Sequence, residues 1–135
     1  MKTHVRSQLE RMINLTKNYA MKTAEKLLCD LELYRSSLNF YKGILECDSL
    51  PEEKYKTAQN KIKYIEHILS AADKALELLD ETERKVITNI YFRKEELYDV
   101  CEECSLERSS IYRYRTSALK KIAKAVYGID ENMAV

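Results

Sequence analysis

Apolar residues recur along the first part of the chain at alternating steps of three and four: Ala24, Leu27, Leu31, Tyr34, Leu38, Tyr41 and Leu45. That rhythm keeps one stripe of a helix turned toward one neighbour, as a coiled-coil seam demands. A polar break follows at ECDSLPEE, where Ser49, Pro51 and Glu52 read as a capping box with proline in the first turn. The second stretch carries its own seam through Tyr55, Ala58, Ile62, Ile65, Leu69, Ala72, Leu76 and Leu79. Two such helices on a short connection predict an antiparallel helical hairpin over residues 1–79. The arms are unequal: at about 1.5 Å per residue, 5–45 would span roughly 60 Å and 50–79 roughly 45 Å. The overhang carries Val5, Leu9, Met12 and Ile13, which need cover from elsewhere, and weak helix formers Asn14, Thr16 and Asn18 predict a break there.

Beyond residue 79 the rhythm shortens. Asp80 and Glu83 form a second capping box, opening a helix through about Phe92 with Val86, Ile87, Ile90 and Tyr91 on its apolar face. After the polar RKEE, LYDVCEEC makes one short amphipathic helix and CSLE a tight turn. From Glu107 a helix runs to Tyr127, with Gly128 placed to terminate it and Ile111, Tyr114, Ala118, Ile122 and Ala125 or Val126 as its buried stripe. Residues 129–135 read as a flexible tail. The whole is all-α: a coiled-coil hairpin followed by a second helical unit over 80–128.

Composition agrees with long helices, since glycine (2) and proline (1) are scarce and 33% of residues are charged. The start, MKTHVRSQLERM, lacks an apolar signal region and no run is long enough to cross a bilayer, so the expectation is a soluble, cytoplasmic protein without membrane contact. The formal charge of +1 excludes polyanion binding by net charge alone. Its distribution changes the picture. Residues 1–45 carry eight basic and four acidic side chains, residues 46–83 five and ten, and Arg108 to Tyr127 six basic and no acidic one. An anionic partner belongs on that last stretch.

Cys101 and Cys104 stand directly before it, at a spacing that suits half a zinc site, a redox pair or core packing. Zinc needs four ligands, and the other candidates, Cys29, Cys47, His4 and His67, are dispersed. A redox pair sits at a helix start after a strand, with a depressed thiol pKa, whereas here no strand precedes and Glu102 and Glu103 oppose the thiolate. A helix-turn-helix, in contrast, needs a small residue where its helices cross (Cys101), an apolar one three later (Cys104), a small turn residue (Ser105), a plug (Leu106) and an anchor on the second helix (Ile111). With both thiols inward, the outward face is Glu107, Arg108, Ser109, Tyr112, Arg113 and Thr116, with Lys120, Lys121 and Lys124 further along. Arginine suits guanine edges and phosphates, and hydroxyls suit phosphates, so this face fits the major groove of double-stranded DNA. Tyr114 is expected in the core, and Arg115 is ambiguous. The candidate DNA-binding residues are Arg108, Ser109, Tyr112, Arg113, Thr116 and Lys120.

The segments LLDETERKVITNIYF and LYDVCEECSLERSSIYRYRTSALKKIAKAVYG resemble region 4 of bacterial sigma factors, and most of all the phage-type transcriptional regulators of the ArpU and RinA kind. The resemblance covers about residues 76–128. It places Val100, Cys101, Cys104, Leu106 and Ile111 at the family's core positions and Arg108, Ser109, Tyr112 and Arg113 at its DNA-facing ones. Ser105 stands where the family has its turn glycine, and Cys101 where it has alanine. The resemblance implies activation of phage or prophage late genes, with RNA polymerase as a further partner. A lone module of this size calls for a second half-site, hence a homodimer. No enzyme is expected, since no glycine-rich phosphate loop, metal set or Cys–His pair is present; no cofactor and no metal are expected either. A protein-binding adaptor and a structural coiled coil remain the rival readings.

Overall fold

Both seams become packed helices in the computed structural model, which describes residues 3–129, with side chains from residue 19 onward. The described residues are all-α and contain no strand. The helices are α1 (Thr3–Leu45), α2 (Glu52–Glu77), α3 (Glu81–Ile87, continued by a π-helical turn, Thr88–Phe92), α4 (Leu97–Cys104) and α5 (Arg108–Tyr127). Among them no helix is long and apolar enough to cross a membrane.

α1 and α2 pack against each other as a hairpin. Ala24, Leu27 and Leu31 of the first seam are buried, as are Ala58, Ile62, Ile65, Ala72 and Leu79 of the second. Three details depart from the expected pattern. α1 runs unbroken through Asn14, Thr16 and Asn18, because propensity differences of a few tenths of a kcal/mol do not stop a long helix. The side chains of Val5, Leu9, Met12 and Ile13 lie outside the described residues. Pro51, not Ser49, caps α2, and no side chain bonds to its first amides, so the Ser49–Glu52 box does not form. Tyr55, in the first turn of α2, is exposed rather than on the seam.

Ala20 continues the α1 seam one step back, whereas Leu28 on α1, and Ile68 and Ala75 on α2, are buried although they stand off the two-helix seam. The cause is a third helix. α5 lies against both arms, and its Ala118, Leu119, Ile122 and Ala123 join Ile87, Tyr91 and the hairpin residues in one apolar cluster. A two-helix seam needs only a narrow stripe, whereas covering by α5 widens the buried face of each arm. At about 1.5–3 kcal/mol for each fully buried large aliphatic side chain, this cluster dominates the stability of the chain.

A second, smaller cluster holds α3, α4 and α5 together. Val86, Val100 and Ile111 are fully buried, and Ile90, Leu97, Cys101, Cys104, Leu106 and Tyr114 pack around them. Both thiols therefore face this core, though each stays half-buried. Burial raises the Cys104 pKa, and Glu103 and Glu95 add to that rise against the pull of Lys85. Ser105 ends α4 in the left-handed conformation (φ 55°, ψ 42°), with the Leu106 amide donating to the Cys101 carbonyl at 3.1 Å. An L side chain is disfavoured there, so Ser105→Gly should stabilise the protein by about 1 kcal/mol and raise its thermal midpoint by roughly 3 °C. A calorimetric scan reads this directly, and a lower midpoint would show that the serine side chain compensates for its backbone. Gly128 closes α5 with φ 68°, and Ile129 folds back onto the main cluster. The expected tail at 130–135 lies outside the described residues.

Candidate nucleic-acid interface

α5 divides into a packed face and an open one. Arg108, Ser109, Tyr112 and Arg113 are exposed, and Thr116 and Lys120 are half-buried. Steps of three and four put all six on one side of the helix. Tyr112, Arg113, Thr116 and Lys120, joined by Ser117 and Lys121, line a shallow open groove. Arg108 and Ser109 lie one turn nearer the helix start. The Arg108 guanidinium rests 5.8 Å from the centre of the Tyr112 ring and its Nη2 donates to the Tyr112 hydroxyl at 3.5 Å. Arg113 lies over Tyr114, 5.4 Å from the ring centre. Stacking of this kind limits the freedom of both arginines before any ligand arrives. No side chain caps the first turn of α5, so its leading amides still point outward as donors.

Half-buried Arg115 and exposed Lys121 meet carboxylates on other helices. Arg115 pairs with Glu25 of α1, and its Nε donates to the Tyr91 hydroxyl at 2.9 Å while that hydroxyl donates to Glu25. The cluster ties α5 to α1 and to the π-helical turn. Burial opposes ionisation of Glu25, but the bonds from Tyr91 and Arg115 outweigh it and lower the carboxyl pKa. Burial and the Glu25 bond together push the Tyr91 hydroxyl well above its usual range.

Lys121 goes to Glu83, whose side chain is almost wholly buried, at 2.7 Å. Glu83 also accepts the Ser117 hydroxyl at 2.6 Å and the Asp80 amide at 2.9 Å, and its own amide donates to Asp80 at 2.7 Å. The capping box is thus formed, and the same carboxylate fastens α5 to the start of α3. Burial works to raise its pKa, yet donation from Lys121, Ser117 and Asp80 prevails and holds it at about 2. What remains turned outward on the first half of α5 is the Arg108, Ser109, Tyr112, Arg113 face.

The sequence left Arg115 undecided and missed the second role of Glu83. Arg115 carried a signal: it stands four after Ile111 and three before Ala118, on the buried stripe itself, where a charge needs a partner. Nothing local points from Glu83 to Ser117 and Lys121, which lie more than thirty residues away. Among the described residues no group of three or more His, Cys, Asp or Glu side chains is placed to hold a metal ion. No family model, no curated protein and no solved structure matches this chain.

Proposed function

We propose that α4, the Ser105 turn and α5 act as a sigma-region-4-like helix-turn-helix that reads double-stranded DNA, and that the protein regulates transcription. α5 enters the major groove from its first turn. Arg108 and Arg113 meet base edges or phosphates, Ser109, Tyr112 and Thr116 meet phosphates and thymine methyls, and Lys120 meets backbone further along. The observation that carries this reading is the sorting of charge on α5: Arg115 and Lys121 are paired with Glu25 and Glu83, while Arg108 and Arg113 face outward beside hydroxyls and, past Glu107 at the N-cap, the helix carries no acidic residue. The resemblance to phage-type regulators adds late-gene activation and contact with RNA polymerase to the proposal. Two copies, one per half-site, give the site length that a single recognition helix lacks.

A gel shift with random duplex tests the reading. Binding is expected at low salt, and four phosphate contacts would cost about 100-fold in affinity between 50 and 200 mM salt. Absence of any shift at low salt would remove DNA from the proposal. It would favour a second reading, docking on polymerase or another protein, for which Tyr98 on α4, 71% exposed, offers an apolar contact.

A further inference from the structure

The side of α1 that looks away from α2 is not uniformly polar. Cys29, Leu33, Ser36, Phe40 and Gly43 follow one another at steps of four and three, and all five are exposed. Leu33 is 64% and Phe40 63% open, and the Phe40 ring is steadied edge-on by Tyr41 at 5.4 Å. At 3.6 residues per turn this strip lies across the helix from Leu27, Leu31 and Leu38. Cys47, in the turn after α1, extends it, with its thiol 4.0 Å from the Gly43 carbonyl. Exposed Lys22 and Lys26 close the strip toward the N-terminus. Among the described residues the strip therefore lies in the part of α1 near the hairpin turn, beyond Glu25 and its bond to α5.

Two properties of the strip identify its occupant. Its side chains alternate in size, large at Leu33 and Phe40, small at Ser36 and Gly43. Reversing the helix about the level of Leu38 brings Leu33 opposite Gly43 and Phe40 opposite Ser36. Each large side chain then meets the gap of a small one in an antiparallel copy, whereas a parallel copy would set large on large and gap on gap. Gly43 is the second property. It stands in the last turn of α1 without a left-handed φ, and a Cβ added there would meet nothing within 4 Å. Glycine weakens a helix, and no close contact among the described residues requires it here, but it does admit a close neighbour from outside.

We propose that Leu33, Ser36, Phe40 and Gly43 form the contact between two copies of this chain, packed antiparallel along α1. The flanking edge, Glu32, Arg35, Lys42 and Glu46, is balanced in charge and does not oppose pairing. The strip would bury on the order of 900 Å² in total, the low end for a specific protein contact, so the dimer is weak and reversible. A two-fold at right angles to both helices returns α5 of both copies to the same side. Glu25, which holds Arg115, lies about 20 Å along α1 from that axis, and the two α5 anchors stand about 40 Å apart, comparable with one turn of duplex. This last consequence rests on the DNA-reading proposal; the α1 contact itself does not.

Sedimentation of the full chain without DNA, across the micromolar range, tests the contact. The native protein should pass from one chain to two as concentration rises. Phe40→Lys should raise the dissociation constant at least 100-fold, roughly the loss of one buried aromatic anchor. Gly43→Leu should raise it at least tenfold while raising the thermal midpoint of the single chain. The exchange Leu33→Ala with Gly43→Leu moves the large side chain to the opposite helix of the same layer and should restore affinity to within about threefold. A single-chain mass throughout overturns the proposal and leaves the strip to a different protein. Tighter association of Gly43→Leu overturns the antiparallel register. Because no DNA is present, failure here leaves the duplex reading standing, and a failed gel shift leaves the α1 contact standing.

Discussion

Replacing Arg108 and Arg113 together by alanine should lower duplex affinity roughly 1,000-fold, since each arginine is expected to contribute about 2 kcal/mol. Both side chains are exposed, so the thermal midpoint of the double variant should stay within about 2 °C of the native value. Fluorescence anisotropy on a selected duplex, paired with a melting curve, reads both quantities. Arg115→Ala supplies the contrast. That guanidinium holds Glu25 and Tyr91, so its loss should lower stability first and affinity only through the placement of α5. Equal affinity for native protein and the Arg108/Arg113 variant would end the assignment of this face to DNA.

Glu83→Ala should destabilise the protein by about 3 kcal/mol, through loss of a cap, of the Ser117 bond and of the buried half of an ion pair. Lys121 is partly exposed and can return to water, which keeps the cost below that of stranding a fully buried charge. Glu83→Gln keeps the shape and some of the bonds and should fall between the two. The same carboxylate sets an acid limit. Its folded pKa, about 2, lies below the ordinary 4.5, so the stability it contributes is complete above about pH 4.5 and is lost as pH falls from there toward 2. Glu25, also lowered, acts in the same direction. Denaturant midpoints measured from neutral pH downward should decline over that interval, and the decline should shrink in Glu83→Gln. An unchanged slope in the variant would assign the acid sensitivity elsewhere.

The hairpin was legible in the sequence because its information is local. A seam repeated every three or four residues specifies one face of one helix, and Leu27, Leu31, Ile62 and Ile65 need no knowledge of the remainder. The Asp80–Glu83 box and the Gly128 terminator were legible for the same reason, as was the inward placement of Cys101 and Cys104. Leu28, Ile68 and Ala75 were not, because their burial depends on where α5 comes to rest, a contact between segments some forty to ninety-five residues apart. Ser49 misled because the residue pattern for a cap was present while Pro51 took the capping position. On α5 the outward arginines followed from the register alone. Which of its other cations were already neutralised required Glu25 and Glu83, both distant in sequence.

The apolar cluster that runs from α1 and α2 into the second half of α5 bears on how this protein can be rearranged by evolution or by engineering. Ala118, Leu119, Ile122 and Ala123 are covered by the hairpin together with Ile87 and Tyr91. The segment that presents Arg108 and Arg113 is therefore not a cassette: grafted onto another carrier it would bring a bare greasy flank with it, and its aim would be lost. Drift in the hairpin is felt as a change of angle at the arginines, so the scaffold and the helix that carries them have to vary together.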